Sequence, residues 1–268
     1  MATKILRQHF SSINEFYKFI TTESVNEVFK QRKEILASQR FGTSWEGTET
    51  FEEAADLMLN GWSEMAKKLE GKLQAKIKNV STTKTRKTVY DVVGGNCSVP
   101  RYLQGIPTNM INQKTAIKRQ PVVTINKNIS YAAVVSSEKI IQESIKAFEI
   151  VRRIEAGGTR VNLNIAWSSQ DSHNNSFSKE RFIVTIRIKN AGERLNISKM
   201  AFPLVHPSML RRLSFRWLEV NKLITCMSFN GGYGYAKEDI DCERCLPKNE
   251  IFLPKIVNDV DEIVNSFK

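Results

Sequence analysis

Pro121-Val-Val-Thr-Ile-Asn126 is a short apolar run rich in β-branched residues, the signature of a buried strand, and the stretch from it to Trp167 decides the fold. Asn126-Lys-Asn-Ile-Ser130 is a polar corner, and Ser136-Ser-Glu138 has the composition of a helix cap. Ile140, Ile141, Ile145, Phe148, Val151 and Ile154 then fall at roughly helical spacing, and Gly157-Gly158 stops the helix. Val161-Asn-Leu-Asn-Ile-Ala-Trp167 alternates apolar and polar residues as a second strand. Two strands joined by a helix of this length are parallel neighbours with a right-handed crossover. The fold class is therefore α/β with a mostly parallel sheet.

Working outward, Arg181-Phe-Ile-Val-Thr-Ile-Arg-Ile188 reads as a strand, as do Leu223 to Phe229 and Ile251-Phe-Leu253. Ser168 to Lys179 is a polar loop, Ser198 to Ala201 opens a helical or turn segment, and Pro207 to Leu218 is a helix with proline at its start. A short helix closes the chain between Val257 and Phe267. Towards the N-terminus, residues 1–80 read as mainly helical: Ile13, Phe16, Tyr17 and Ile20 form one stripe, and Phe51 to Gly61 is an amphipathic helix that Gly61 ends before the next begins at Trp62. Val89 to Val93 has strand character, and glycines and prolines punctuate the chain from 94 to 107. The resulting division is a helical N-terminal region over 1–93, a connecting segment over 94–120 and an α/β core over 121–268.

A chain of 268 residues, 41% hydrophobic and 25% charged, has an ordinary globular composition and length enough for a substantial core. No apolar run is long enough to span a membrane, and Met1 to Phe10 lacks the apolar core of a secretion signal, so a cytoplasmic setting without a membrane partner is expected. The formal net charge of +12, with a pI near 9.5, speaks to partners. Nucleic acid and acidic proteins are both attracted to such a chain.

Catalytic constellations do not stand out. His9, His173 and His206 are far apart with no metal or catalytic spacing, and Glu52-Glu53 sits where a helix start favours acids. Gly231-Gly-Tyr-Gly-Tyr235 lacks the Lys-Ser/Thr of a phosphate loop; a tight turn is the plainer reading, although an aromatic pair beside glycine also stacks bases. Cys242-Glu-Arg-Cys245 is half of a zinc-ribbon spacing that Cys226, Cys97 or a histidine would have to complete; two reduced thiols in a loop is the alternative. At the Asn126–Ser130 corner a hard cation such as magnesium would need a carboxylate, and Asn126 or Asn128 stands in its place, so no cofactor is expected there.

The order of strand, polar corner, helix, Gly157-Gly158 and a strand ending in Trp167 resembles the start of a von Willebrand factor A-like fold, or more loosely a Rossmann-like one, over roughly residues 120–230. In that resemblance the corner is a degenerate, metal-free version of the family's metal motif. The whole chain also resembles an uncharacterised family of tailed-bacteriophage proteins. The residues that carry this are Ser44-Trp45, Glu53-Ala54 and Gly61-Trp62, then Val99-Pro-Arg-Tyr-Leu-Gln-Gly-Ile-Pro107, then Ala201-Phe-Pro-Leu-Val-His-Pro-Ser-Met-Leu-Arg-Arg-Leu213. It implies a phage or prophage origin, with the bacterial host cell as the setting, and brings no activity and no catalytic residue.

Two groups of cations have the pattern of a phosphate-contacting surface. Lys67, Lys68, Lys72 and Lys76 recur at helical spacing, with Lys84, Arg86 and Lys87 after them; Arg211, Arg212 and Arg216 cluster on a second helix beside Trp217. Glu64 and Glu70 dilute the first group, and Leu210, Leu213 and Phe215 require part of the second helix to be buried. The sequence thus favours a non-enzymatic protein that binds nucleic acid through basic helices. The alternatives are a protein-interaction module, such as a host-directed inhibitor or assembly factor, and a metal-dependent enzyme using the Asn126–Ser130 corner or the cysteines.

Overall fold

In the computed structural model the described residues are 4–30, 36–42, 45–76, 86–115, 121–132, 135–170, 180–224, 239, 243 and 246–266. In chain order the elements are β1 (Lys4–Phe10), α1 (Ile13–Thr22), α2 (Glu27–Lys30), α3 (Phe51–Asn60), α4 (Ser63–Lys76), β2 (Arg86–Asp91), β3 (Asn96–Cys97), α5 (Val99–Leu103) and β4 (Met110–Thr115). There follow β5 (Val122–Asn128), α6 (Ser137–Ala156), β6 (Arg160–Gln170), β7 (Glu180–Lys189), α7 (Ile197–Val205), a π-helical turn (Met209–Ser214), α8 (Phe215–Val220), β8 (Ile251–Leu253) and α9 (Val260–Asn265).

The decisive stretch folds as its pattern predicts. Ser136 caps α6 by accepting a hydrogen bond from the Lys139 amide at 3.3 Å, and the Gly157 amide closes the other end on the Arg153 carbonyl at 3.1 Å. Ile140, Ile145, Phe148, Val151 and Ile154 are all buried, and β5 and β6 lie side by side and parallel. The main sheet has the order β1-β7-β6-β5-β8. Its β1–β7, β6–β5 and β5–β8 pairings are parallel and the central β6–β7 pairing is antiparallel, so the chain is a mixed α/β protein with a mostly parallel five-stranded sheet.

Two features depart from the predicted organisation. Residues 4–10 are an edge strand of the main sheet, so the N-terminal region is not helical throughout but contributes β1 to the core. Residues 86–115 are not a plain connection either: β2, β4 and β3 form a separate antiparallel sheet. Strand β6 runs on to Gln170, into the expected loop. The predicted strand at Leu223–Phe229 lies, from residue 225, outside the described residues.

The two faces of the main sheet differ in chemistry. One face carries Phe10, Val184, Ile186, Leu163, Ile165, Trp167 and Ile125, and all join the single large hydrophobic cluster. Helices reach it through Phe16, at 5.2 Å edge-on to Phe10, and through Trp217, at 5.2 Å edge-on to Trp167. The opposite face presents His9, Thr185, Arg187, Asn164 and Asn126, with a small apolar cluster of Ala166, Ile183, Leu246 and Phe252 beside them. A β-bulge between β6 and β7, at Leu163/Asn164, shifts the register by one residue. Arg187 stays on the polar face while Lys189, two residues on, turns to the helix side and donates to Glu155 Oε1 at 2.5 Å and the Val161 carbonyl at 3.1 Å.

A buried cation also closes the C-terminal end of β5. Lys127 is fully buried and donates to the carbonyls of Pro254 at 2.5 Å and Lys255 at 2.9 Å. Burial pulls its pKa down to about 8, against the opposing pull of Glu143 and Asp239. Glu143, equally buried, accepts from Lys146 Nζ at 2.9 Å and the Val257 amide at 2.7 Å. His206, at the end of α7, is stacked on Phe202 at 4.8 Å and meets Trp62 edge-on at 4.9 Å; burial holds its pKa at about 4. Among the described residues no helix is long and apolar enough to cross a membrane.

Both titrations carry a sign that can be checked. Between pH 8 and 10.5 the unfolded chain holds the Lys127 proton that the folded chain has released, so stability relative to Lys127→Met is expected to rise with pH across that window. Urea unfolding midpoints of the pair would measure this, and a flat difference would contradict it. For His206 the window is pH 4 to 6.5: the unfolded chain binds the proton first, so stability present above pH 6.5 is lost on acidification, and His206→Asn is expected to flatten that slope.

Candidate nucleic-acid interface

Helix α4 buries Met65, Ala66, Leu69 and Leu73, a spacing that turns one stripe towards α7 and α6. That leaves Lys67, Lys68 and Lys72 exposed on the other side, with Glu64 and Glu70 among them. Gly61 sets the entry of the helix: it has φ +92°, and a Cβ there would stand 2.9 Å from the Ser198 carbonyl oxygen. The next residue, Trp62, donates its amide to that same carbonyl at 3.0 Å. Lys76 is the last residue of α4, Lys84 lies outside the described residues, and Arg86 and Lys87 open β2, where they pair with Thr115 and Lys114 of β4.

The arginines on the second predicted surface are turned inward. Arg212 has no exposed surface; its guanidinium donates to the carbonyls of Arg40 (2.7 Å), Gly42 (2.9 Å), Thr48 (2.6 Å) and Glu49 (2.9 Å). Arg211 stacks its guanidinium 4.9 Å above the Trp45 ring and donates to the Trp45 carbonyl. Arg216 reaches the Ile20 carbonyl and Glu219 Oε2, each at 3.3 Å, and the buried Glu219 in turn accepts from the Ala37 amide at 2.6 Å. The three side chains clamp α1 and the 37–49 segment onto the π-helical turn and α8. A guanidinium fork satisfies several carbonyls at once, which explains why arginine and not lysine occupies the centre. Arg212 presents no charge to a ligand in this arrangement, and Arg211 and Arg216 are only partly exposed, so the helix does not carry the fully solvated basic face expected of it.

The sheet of β2, β4 and β3 supplies a surface that the cation pattern did not reveal. Within 86–115 none of the residues whose side chains are described is buried. Tyr102 is 64% exposed and Leu103 77% exposed, with Val93 and Val99 alongside. Arg101 lies over the Tyr90 ring at 4.2 Å, which fixes a cation beside an aromatic. The segment holds Arg86, Lys87, Arg101 and Lys114 against the single acid Asp91. Gly94 allows the close return of the chain, because a Cβ there would meet the Ile111 carbonyl oxygen at 2.8 Å. The signal available in the sequence was Val99-Pro-Arg-Tyr-Leu103, apolar residues in a punctuated stretch with no periodic partner.

The metal candidates divide. Cys226, Cys242 and Cys245, like the Gly231–Tyr235 turn, lie outside the described residues, and Cys97 is an exposed thiol on β3. At the β5 corner the oxygens and amides are taken by protein: Asn128 donates to Asp239 at 2.8 Å and accepts from the Ser130 amide at 2.9 Å, while Ser130 Oγ accepts from the Ser168 amide at 3.4 Å. Among the described residues no group of three or more His, Cys, Asp or Glu side chains is placed to hold a metal ion.

Removing the Arg212 fork takes a donor from four carbonyls, that of Thr48 buried among them. Arg212→Ala is expected to lower the unfolding free energy by about 3 kcal/mol or more, and Arg212→Lys to recover only part of it. Chemical denaturation measures both; a change within the range of an ordinary surface substitution would count against the clamp.

No curated protein and no solved structure matches the chain. One family profile does, over residues 1–266, so that β1, the clamp, the small sheet and the main sheet all fall within it, and the chain belongs to the family of DUF7192 domains, whose function is unknown.

Proposed function

We propose that the protein is a non-enzymatic binding protein that takes single-stranded nucleic acid on the β2–β4–β3 sheet, with the exposed lysines of α4 as further phosphate contacts. The observation that supports it most is Tyr102, exposed on a basic segment that buries none of its described side chains. Tyrosine faces stack bases of any sequence, and cations beside them neutralise the backbone. The contact surface of this reading is Tyr90, Arg101 and Tyr102 with Lys67, Lys68 and Lys72. Arg211, Arg212 and Arg216 act on it only by holding the fold. The resemblance of the sequence to tailed-bacteriophage proteins makes an infected bacterial cell the setting we favour, and its resemblance to a von Willebrand factor A-like fold is in keeping with a recognition role.

A second reading, a protein-interaction module, is favoured by Val93, Val99 and Leu103, which are 76%, 61% and 77% exposed. Aliphatic exposure of this extent suits a protein surface better than a phosphate backbone.

Fluorescence anisotropy with labelled single-stranded DNA and RNA at 50 and 200 mM salt tests the first reading. Binding that weakens steeply with salt is expected, and Tyr102→Ala is expected to weaken it by roughly 5- to 100-fold, the range for loss of one stacked base. Lys67→Glu with Lys68→Glu should reduce the salt dependence. Absence of binding at low salt, or affinity indifferent to all three changes, would overturn it. A partner captured from nuclease-treated host lysate and lost on Leu103→Asp would put the second reading first.

A further inference from the structure

The polar face of the main sheet holds a directed line of hydrogen bonds. Arg187 Nε donates to Asn164 Oδ1 at 2.5 Å, Asn164 Nδ2 donates to Asn126 Oδ1 at 2.8 Å, and Asn126 Nδ2 donates to Glu250 Oε2 at 2.7 Å. The line crosses β7, β6 and β5 at paired register positions and ends on the segment that leads into β8. Each amide is oriented by the charge at its end, a guanidinium at one and a carboxylate at the other. Arg187 is on this face by alternation with Ile183 and Thr185, and the bulge beyond it is what turns Lys189 away.

Above the line lies a cavity of about 190 Å³. This is many times the space a single water needs. Its floor is Arg7, His9, Thr185 and Arg187; its lip is Leu246, Pro247 and Glu250. His9 Nδ1 is fixed at 2.9 Å from Thr185 Oγ1, which leaves Nε2 as the ring's outward nitrogen. Among the described residues only the Nε of Arg187 is engaged, and the guanidinium of Arg7, on the edge strand, makes no hydrogen bond or ion pair. Burial lowers the pKa of Arg187 and Glu250 raises it, while Arg187 lowers that of His9 after burial. Two guanidinium forks and an imidazole converge on one side of the cavity, and one carboxylate stands on the other.

We propose that this cavity binds a small molecule bearing an oxyanion group, phosphate or carboxylate, held by Arg7, Arg187 and His9, with a hydroxyl or amine donating to Glu250. The arginine fork matches both oxyanions in a bidentate manner. An amide line already polarised between fixed charges needs no reorganisation when the anion arrives. Leu246 and Pro247 provide the apolar wall that a small organic ligand needs in addition to its polar anchors. The site is built on the main sheet and the segment that leads into β8, and stands independently of the nucleic-acid reading, whose residues it does not share.

The test is a titration of the ¹⁵N-labelled full chain with inorganic phosphate, glycerol 3-phosphate and malate, followed on the Arg187 Nε–H and the backbone amides of His9 and Thr185. Saturable shifts at these positions are expected, with glycerol 3-phosphate or malate binding more tightly than inorganic phosphate because each adds a hydroxyl for Glu250. Preference for glycerol 3-phosphate identifies the oxyanion as phosphate, and preference for malate as carboxylate. Arg7→Gln, which alters no hydrogen bond among the described residues, is expected to weaken binding by about 10-fold or more, and Glu250→Gln to erase the advantage of the hydroxylated probe. No saturable shift with any of the three, or an affinity unchanged in a folded Arg7→Gln protein, would overturn the proposal.

Discussion

The main sheet carries a different chemistry on alternate residues of every strand, apolar on one face and largely polar on the other, and the rest of this structure follows from that asymmetry. Side chains alternate across a strand, so the apolar set Phe10, Val184, Leu163, Ile165 and Ile125 must be matched by a second set on the other face. Here that second set is polar and internally bonded. Asn164 and Asn126 are buried, yet each has its amide paired. An unpaired buried amide costs about 1–3 kcal/mol, so the line from Arg187 to Glu250 is what makes a polar interior-strand face tolerable. A single-residue slip of β5 against β6 would bring Asn126 under the helices, put Ile125 on the polar face and leave Asn164 without its partner. The pairing register and the location of the polar face are thus one constraint.

The same asymmetry explains where the buried cations sit. Lys127 and Lys189 both fall on the helix side near the ends of their strands, and each donates to two backbone carbonyls, those of Pro254 and Lys255 for Lys127 and of Val161 and Asn190 for Lys189. Lys189 adds Glu155 as a counter-charge. Arg212 applies the same solution to a loop, drawing four carbonyls of the 40–49 segment around one guanidinium. Its neighbour Ser214 donates back to the Met209 carbonyl at 2.8 Å inside the π-helical turn. The wider turn carries Arg211 and Arg212 on to the 40–49 segment, while Leu213 stays in the core.

How much of this was legible in the sequence depended on whether a signal was local. The β5–α6–β6 unit was legible because its strand pattern, its cap at Ser136 and its stop at Gly157 are each complete within a few residues. Strand β7 was legible for the same reason, but its antiparallel pairing to β6 was not, since partner choice is not written in either strand. β1 was missed because Lys-Ile-Leu-Arg-Gln-His-Phe10 is an edge strand with polar residues on both faces and a partner, β7, more than 170 positions away. The arginines misled for a physical reason: Arg211, Arg212 and Arg216 have the spacing of a solvated basic face, and only the fold reveals that their partners are backbone carbonyls of residues 20 and 40–49. His9 and Glu250, at opposite ends of the chain, carried no spacing that could join them.

The net charge of +12 therefore has to be divided by what each cation does. Buried and exposed charges contribute alike to the far field, which sets how fast an anionic partner is drawn in. Only cations that reach a phosphate release counterions, so the slope of affinity against salt counts contacts and not net charge. In this chain Arg212, Arg216, Lys127 and Lys189 belong to the first class alone. Lys67, Lys68 and Lys72, exposed on α4, are placed to join the second. An anion is consequently attracted by more charge than it can touch. Association rate and affinity should respond differently to substitution: internal cations change the first only through the field, and exposed ones change both.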